Sequence, residues 1–303
     1  MDLRELQTFR AVAEMGSLTR ASDRLHIAQP ALSRQIRLLE AELRTALFTR
    51  DGRGMRLTPA GEVLLERSAG LMRDVDRMRD DLRSFLGAPT GYVHVGLLPT
   101  VSAMVSGAVA RRVLHELPAV TLRMSESYSG HLVDWLHRGD LDVAVLYGPS
   151  EALHMPTQSL GHESLVAVAA SGEHLGNLAE MELSRLLAEP LALPSANHGI
   201  RRIIDDAAER AKYPVRVLME ADSFRILVNV AVQGLAVTVL PKSAVRREIE
   251  AGTLTTARIV SPALDREVIM AWAGNGPPSV AASAVTSILR EEVLSAFGFS
   301  GAG

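Results

Sequence analysis

The sequence predicts an α/β protein that carries an all-α, winged domain at its N-terminal end. Three observations predict this fold class. Apolar residues follow a helical period almost without a break from residue 3 to residue 85, whereas from residue 92 short apolar runs alternate with amphipathic helical segments. The join, residues 87–91, holds two glycines and a proline, which neither a helix nor a strand interior accepts, so we expect a hinge there.

The composition excludes several chemistries and places the positive charge. The chain has 303 residues, enough for about two domains, and it contains no cysteine, so disulfides, thiolate metal sites and cysteine nucleophiles are excluded. There are 32 basic and 35 acidic side chains, and the resulting net charge of −3 argues against a nucleic-acid partner. However, residues 1–59 hold 10 arginines against 7 acidic residues and no lysine. The basic excess is therefore local, and it consists of the side chain best suited to bidentate contacts.

The location of the protein is also predicted from the sequence. The first ten residues carry four charged side chains and lack the apolar core of a secretory signal, so we expect a cytoplasmic protein. The longest apolar stretch, residues 226–240, is interrupted by Asn229 and Gln233 and is shorter than the about 20 residues that cross a bilayer. We therefore expect no membrane partner.

The first 45 residues predict a helix-turn-helix. A first helix stops at Gly16, and Ser17 is placed to cap a second helix over residues 18–25. Pro30 then precedes a third helix over residues 31–43, at a position where its missing N–H costs nothing. Two short helices joined by a tight turn, the second with a polar start, have the layout of a DNA-binding helix-turn-helix.

The polar face of the third helix has the side chains that read a duplex. Arginine bridges two acceptors of guanine, glutamine does the same for adenine, and serine serves a base or a phosphate. The candidate DNA contacts on this face are Gln29, Ser33, Arg34 and Arg37.

A hairpin that resembles a wing follows the third helix. Within residues 47–58, Gly52 and Gly54 predict a tight turn between short strands. Arg50, Arg53 and Arg56 lie on this hairpin, where Arg53 at the tip would reach a narrow minor groove. Each arginine alone is more often a solvated surface charge. The order of cap, turn, polar helix face and arginine hairpin favours DNA binding.

A long helix over residues 60–86 is predicted to dimerise. Thr58 and Pro59 provide its start, and its apolar residues recur at alternating steps of four and three, the spacing of a coiled-coil seam. A single helix cannot bury such a seam, so a second copy is the expected partner; packing against the chain's own second domain is the alternative. The seam consists of Leu64, Leu71, Val75, Met78, Leu82 and Phe85.

The remainder, residues 92–303, predicts an effector-binding domain of two α/β lobes. A β-α-β-α-β series with a parallel sheet comes first, a second series follows, and the chain then returns to the first. The expected bounds are residues 92–161 with 266–297 for the first lobe and residues 162–265 for the second. Two such lobes leave a cleft facing the carboxyl ends of their strands, where ligands bind in open α/β sheets.

The residues that follow the predicted strands are the candidate effector contacts. Thr100 and Ser102 open the first helix of this domain, where hydroxyls and free backbone N–H groups suit an anion such as a carboxylate. Simple capping by the same hydroxyls is the alternative. The other candidates follow strands or open helices: Ser127, Ser129, Tyr147, His198 and Ser223.

The sequence shows no catalytic or metal-binding constellation. The nine histidines lack the HExxH spacing, and neither a GxSxG motif nor a phosphate-binding glycine loop is present. We therefore expect no enzyme, no metal and no resident cofactor.

Five stretches of the first 65 residues form one known pattern: FRAVAEMGSLTRASDRL (9–25), AQPALSRQI (28–36), LLEAEL (38–43), LFTR (47–50) and LTPAG (57–61). This pattern resembles LysR-type transcriptional regulators. The remainder is similar to that family in length and layout, and residues 129–136 and 140–145 are similar to its nitrogen-control and aromatic-catabolism members.

The resemblance implies a winged helix-turn-helix, a dimerising linker helix and a two-lobed sensor related to periplasmic binding proteins, usually as a tetramer. By position, it assigns DNA contacts to Gln29, Pro30, Ser33, Arg34, Arg37 and Arg53. In that family a Thr/Ser pair in the loop that holds Thr100 and Ser102 commonly touches the effector.

The expected function is therefore that of a transcriptional regulator. Two recognition helices of a homodimer or homotetramer would bind an interrupted palindrome in double-stranded DNA, and a small anionic metabolite would control them; RNA polymerase is a further expected partner. The expected domains are residues 1–59, 60–86, 87–91 and 92–303. The alternative is a cytoplasmic small-molecule-binding or enzymatic α/β protein whose helical N-terminus serves assembly.

Overall fold

The computed structural model describes residues 1–51, 54–84, 87–148, 153–172, 178–274 and 276–299, with the backbone alone at residues 51 and 69. The N-terminal domain consists of three helices and a two-stranded hairpin. Their bounds are α1 Leu3–Met15, α2 Leu18–Leu25, α3 Gln29–Leu43, β1 Phe48–Asp51 and β2 Gly54–Leu57. The predicted helices are confirmed, although α3 begins two residues early because proline fits the first helical turn.

Local hydrogen bonds fix the ends of α1 and α2. The Asp2 carboxylate accepts the Glu5 backbone N–H at 2.8 Å, and the Glu5 carboxylate accepts the Asp2 N–H at 2.9 Å, which completes a capping box. Gly16 ends α1 in the left-handed conformation, and the Ser17 hydroxyl caps α2. Between α2 and α3, the Ser22 hydroxyl donates to the Ile27 carbonyl at 2.6 Å and tightens the turn.

The hairpin is fastened to the helices where only glycine fits. Gly54 has a φ of 135°, and a Cβ atom there would lie 2.4 Å from the Gly16 carbonyl oxygen. Next to it, the Met55 N–H donates to that same oxygen at 2.9 Å. The wing therefore docks on the turn between α1 and α2. The core that joins the helices to the wing includes Phe9, Val12, Leu18, Leu32, Ile36, Leu39, Leu47 and Phe48.

A single helix, α4 Pro59–Ser84, leads out of this domain. Its 26 residues make it about 39 Å long at the usual helical rise. Residues 85 and 86, which the sequence assigned to the same helix, lie outside the described part of the chain. Residues 87–90 are irregular, and the next strand begins at Gly91.

The C-terminal part is built on one sheet that passes through two lobes. Ten strands form it, in the order β4-β3-β5-β12-β6-β10-β8-β9, with β11 beside β6 and β7 beside β11. Lobe I contains β3 Gly91–Leu97, α5 Pro99–Glu116, β4 Val120–Glu126, α6 Ser129–His137, β5 Val143–Tyr147, β12 Asp265–Trp272 and α11 Val280–Phe297. Its strands β3, β4 and β5 are parallel, as predicted.

Lobe II contains the remaining elements. They are β6 Thr157–Ala170, β7 Glu180–Glu182, α7 Leu183–Ala188, β8 Leu191–Leu193, α8 Gly199–Ala211, β9 Val217–Glu220, α9 Phe224–Val232, β10 Val237–Pro241, a 3₁₀ turn Lys242–Val245, α10 Arg246–Glu250 and β11 Leu254–Val260. Each lobe has its own apolar core.

The strands of lobe II differ from the prediction at three places. The apolar run at residues 165–169 predicts a strand there; in the structure this strand is β6, which begins earlier, at Thr157. Its first half alternates polar and buried residues against β12, whereas its second half is buried between β10 and β11. The strands β7 and β11 and the helix α7 were not predicted, because their short or alternating patterns give weak signals. Within the described residues, every helix is too short or too polar to cross a membrane.

Candidate DNA-binding and effector sites

The face of α3 that points away from the core carries the predicted DNA contacts. Leu32, Ile36 and Leu39 are buried on the inner face. The opposite face leaves Gln29, Pro30, Arg34 and Arg37 exposed and Ser33 half-buried, so the structure brings all five predicted residues of this helix to its outer side. Arg34 makes no ion pair with any described residue, and the Arg37 guanidinium reaches only the Ser33 carbonyl, at 3.4 Å. These side chains are available to a duplex.

The wing separates its arginines. In the register of β1 and β2, Arg50 is opposite Met55 and Thr49 is opposite Arg56. Because neighbouring residues of a strand point to opposite faces, Arg50 and Arg56 lie on opposite faces of the hairpin. Both side chains are exposed. Arg53, predicted at the tip, lies outside the described residues. The hairpin therefore has one described arginine on each face.

One face of α4 exposes the predicted seam. Leu71, Met78 and Leu82 are 46%, 58% and 68% exposed, although large apolar side chains usually bury most of their surface. Val75 is half-buried, and Leu64 packs on the core of the N-terminal domain. Phe85 lies outside the described residues. Four of the six predicted seam residues thus form an apolar stripe that the described part of this chain leaves largely uncovered.

A cavity of about 450 Å³ lies between the two lobes. It opens at the carboxyl ends of β3, β5 and β8 and at the starts of α5, α8 and α9, where the topology predicts a ligand site. Its walls are mostly apolar and come from both lobes: Leu98, Pro99, Pro194, Ile200, Ile203, Phe224, Leu227 and Leu240.

Polar groups converge at one end of this cavity. The Thr100 hydroxyl lies 2.7 Å from the Tyr147 hydroxyl, and Arg266 Nη2 donates to that same tyrosine oxygen at 2.5 Å. The Arg266 guanidinium also stacks on the Tyr147 ring, 3.3 Å from its centroid. Burial raises the pKa of Tyr147 far above its usual value, so its phenol stays protonated, and its hydroxyl donates to Glu163 Oε2 at 3.4 Å.

A buried ion pair holds Arg266 in place. Its side chain is 4% exposed and that of Glu163 is 8% exposed, and Arg266 Nη2 and Nε donate to Glu163 Oε2 at 2.8 and 3.1 Å. The two residues are directly opposite each other on β12 and β6. The Ser243 hydroxyl of lobe II donates to the other carboxylate oxygen. The pair thus lies where the sheet passes from one lobe to the other.

The mouth of the cavity is bridged across the lobes. The Tyr128 hydroxyl of lobe I donates to the Asp222 carbonyl of lobe II, and its ring meets the His198 imidazole edge to face. His198 Nδ1 accepts the Ile200 N–H at 3.2 Å, which leaves the ring proton on Nε2. Burial, followed by the charge of Arg266, lowers the pKa of His198, so the imidazole is neutral at pH 7. It therefore presents an N–H donor without a charge.

The predicted effector residues divide into two groups. Thr100, Ser129, Tyr147 and His198 line the cavity. Ser102, Ser127 and Ser223 are not among its lining residues. Ser102 lies within α5, because that helix begins at Pro99 rather than at residue 102 as expected.

The other two serines are placed differently. The Ser127 hydroxyl lies 3.3 Å from the His131 ring, and Ser223 precedes α9 without capping it through its side chain.

Arg266 is the cavity residue that sequence reasoning missed. It is a single arginine at the start of a strand, distant in sequence from every other lining residue except Leu240, and no motif surrounds it. The only signal was its position in the segment that returns to lobe I. The described residues contain no group of histidine and carboxylate side chains that could hold a metal ion.

Comparisons with known proteins agree with this architecture. A family model described as "Bacterial regulatory helix-turn-helix protein, lysR family" matches residues 3–62, and one described as "LysR substrate binding domain" matches residues 86–294. The nitrogen assimilation regulatory protein nac of Klebsiella aerogenes is 31% identical over 293 residues, which cover 95% of this chain and 94% of that protein.

Solved structures share the fold over nearly the whole length. Full-length OxyR from Pseudomonas aeruginosa gives a TM-score of 0.72 at 23% identity and covers 97% of this chain and 95% of that chain. CbnR complexed with its target DNA gives a TM-score of 0.67 at 21% identity, covering 98% of this chain and all of the other.

A winged helix-turn-helix followed by a two-lobed domain with an interlobe cavity defines a ligand-responsive transcriptional regulator. The chain belongs to the LysR family: it is a DNA-binding transcriptional regulator with an effector-binding domain, and not an enzyme. The expected likeness to nitrogen-control members is confirmed.

The buried ion pair gives a stability prediction. Glu163→Gln is expected to lower the free energy of unfolding by about 3 kcal/mol or more, because it leaves the Arg266 guanidinium buried without a counter-charge. Arg258→Gln is the control, since its pair with Glu180 is 62% and 53% exposed and contributes at most about 1 kcal/mol. Urea unfolding of both variants measures the difference; equal losses would contradict a structural role for the buried pair.

Proposed function

We propose that the regulator responds to a small organic anion bound between its two lobes. The observation that carries this proposal is the cavity of about 450 Å³ whose polar end holds Thr100, Tyr147 and Arg266. Arg266 Nη2 and Nε already bond to Glu163 and Tyr147, whereas no described residue accepts a hydrogen bond from Nη1. A ligand carboxylate would supply that acceptor.

The walls of the cavity define the rest of the effector. They are apolar on both lobes, which suits an aromatic or branched aliphatic body. The Glu163 carboxylate beside Arg266 already supplies one negative charge, so a ligand with a single anionic group fits the polar end better than one with two. His198 Nε2 provides a neutral donor for a second oxygen. These features support a small monocarboxylate with an apolar body.

DNA recognition is proposed to rest on the exposed face of α3 and on the wing. The residues are Gln29, Pro30, Ser33, Arg34 and Arg37 of the helix and Arg50, Arg53 and Arg56 of the hairpin. The N-terminal 59 residues carry a positive excess of three charges, which favours a polyanion in a protein whose total charge is −3. We propose that it acts in the cytoplasm, where two such domains read an interrupted palindrome and RNA polymerase can be contacted.

Assembly is proposed to start at α4. The exposed stripe of Leu71, Val75, Met78 and Leu82 fits a second copy of the same helix. Further exposed apolar side chains lie on both lobes: Leu114 on α5, Leu218 and Met219 on the edge strand β9, and Ile226 on α9. They support a second interface that would pair dimers into a homotetramer. The proposal also divides the chain into a DNA-binding domain (1–59), a linker helix (60–86), a hinge (87–91) and an effector-binding domain (92–303).

Arg34→Ala tests the DNA interface. It is expected to weaken binding to a promoter fragment that the wild-type protein binds specifically by about 1–3 kcal/mol and to relax sequence preference, because a bidentate base contact is lost. Gel-shift titration against specific and scrambled fragments measures both effects. Arg4→Ala, an exposed arginine on α1, is the control. Unchanged affinity in Arg34→Ala would instead support an assembly role for the N-terminal domain.

Thr100→Val tests the effector site. It keeps the volume of the side chain but removes the hydroxyl that meets Tyr147, so affinity for a bound carboxylate is expected to fall about tenfold. Isothermal titration calorimetry against a panel of small aromatic and aliphatic carboxylates measures the change. Ser102→Ala is the matched control, because it removes a hydroxyl two residues further along the same helix, outside the cavity. Identical affinity in Thr100→Val and wild type would remove this loop from the site.

Charge placed in the seam tests dimerisation. Met78→Asp with Leu82→Asp is expected to weaken self-association by about tenfold or more, because it buries unpaired carboxylates between helices. Sedimentation velocity over a dilution series measures the dissociation. Arg79→Ala, on the same helix but outside the stripe, controls for lost helix stability. A sedimentation profile like that of wild type would place the dimer contact elsewhere.

A further inference from the structure

The face of α4 that carries no seam residue is attached to lobe I by side-chain ions. Arg73 Nη1 donates to Asp140 Oδ1 at 2.7 Å, and Arg73 Nη2 donates to the Arg138 carbonyl at 2.5 Å. One turn further along, Arg77 Nη2 and Nε donate to Asp142 Oδ1 at 2.6 and 3.1 Å. We call these two pairs, Arg73 with Asp140 and Arg77 with Asp142, the latch.

The latch differs from the other charges of α4. Arg79 pairs with Asp76 and Arg83 pairs with Asp80, each three residues away on the same helix, so neither ion pair links α4 to a charged side chain of lobe I. By contrast, the Arg77 and Asp142 side chains are 22% and 10% exposed, which shields their attraction from solvent. The carboxylates of the latch belong to the loop that enters β5. It is the charged contact between the linker and this loop.

The remaining contact between α4 and lobe I is largely polar. A cavity of about 500 Å³ separates them, lined largely by charged side chains of both parts. At the end of the helix, the Asp81 carboxylate accepts the Val280 N–H at 2.9 Å, and the Asp80 side chain packs against Gly91. A contact made by charged side-chain tips around a cavity can break and re-form without exposing a large apolar area.

Two neighbouring strands, β5 and β3, connect the latch to the effector cavity. Asp142 directly precedes β5, and Tyr147 ends it, about 16 Å away at the usual rise of a strand. Asp142 Oδ2 also accepts the His94 N–H of β3 at 2.7 Å. The strand β3 leads directly, through Leu98, into the first turn of α5, which holds Thr100. The residues of β5 up to Leu146 are fully buried, so a shift at Tyr147 cannot be absorbed by soft packing along the strand.

We propose that the latch transmits the state of the interlobe cavity to the linker helix. A change in the position of Tyr147 or Thr100 moves the starts of β5 and β3, and the latch carries that movement to α4. The opposite face of α4 forms the proposed dimer seam. The latch therefore sets the angle between the effector-binding domain and the two DNA-binding domains of the dimer. The proposal rests on the proposed function of the cavity and names its regulation.

A double-mutant cycle without ligand or DNA tests the proposal. Tyr147→Phe changes the polar end of the cavity, and Arg73→Gln with Arg77→Gln removes the latch. Hydrogen–deuterium exchange of the full-length protein is measured in peptides over residues 73–84. We expect Tyr147→Phe to speed exchange there about threefold when the latch is present and to have no measurable effect when it is absent.

Two further variants make the result specific. Arg79→Gln keeps the latch and removes a neighbouring charge, so the threefold response to Tyr147→Phe should persist in that background. The exchanged pair Arg73→Asp with Asp140→Arg, combined with Arg77→Gln, should restore at least part of the response; it also covers the case in which the double glutamine variant folds poorly.

The outcomes separate cleanly. Equal acceleration by Tyr147→Phe with and without the latch, or none in the latched protein, overturns the proposal. Because neither effector nor DNA is added, such a result leaves the proposed effector and operator contacts intact. Conversely, failed titrations in the DNA and carboxylate experiments would overturn the proposed function while the exchange cycle could still be positive.

Discussion

The passage of a single sheet through both lobes is the constraint on which the effector-binding domain depends. The strands β6 and β12 pair antiparallel between the lobes, and their register places Glu163 opposite Arg266. A buried pair of this kind contributes little net stability compared with apolar packing, since its desolvation offsets its attraction. Its consequence is positional: it fixes a guanidinium at the polar end of the cavity, against Tyr147, whose hydroxyl meets that of Thr100. The proposed effector chemistry therefore follows from strand register.

The helix α4 also has two faces that are suited to different contacts: one face is apolar, and the other is charged. Its stripe of Leu71, Met78 and Leu82 gains free energy only when a second apolar surface covers it. Its other face carries Arg73 and Arg77, whose attraction to lobe I is directional and reversible. A helix with a strong contact on one side and an adjustable one on the other can keep a dimer together while its angle to the effector domain changes.

The sequence predicted the elements whose signals are local. Caps such as Ser17, the proline before α3 and the glycines of the wing determine structure within a few residues, and the predicted helices were found close to their expected bounds. Thr100 and Tyr147 were found because strand ends can be read from apolar runs. Ser102 was misplaced by the early start of α5 at Pro99, since a proline accepted as a first-turn residue moves the helix boundary by three positions.

Arg266 and Glu163 could not be predicted, because their importance arises from a pairing between segments about a hundred residues apart. Each is a charged residue in the polar half of its strand, which the alternation rule assigns to solvent. Only closure of the sheet turns both inward together, and only their mutual neutralisation makes that burial tolerable. The polar residues of the cavity are thus set by tertiary pairing, whereas the residues of the proposed DNA-binding face are set by one helix. That difference explains why the sequence predicted the exposed face of α3 in full but only part of the polar end of the cavity.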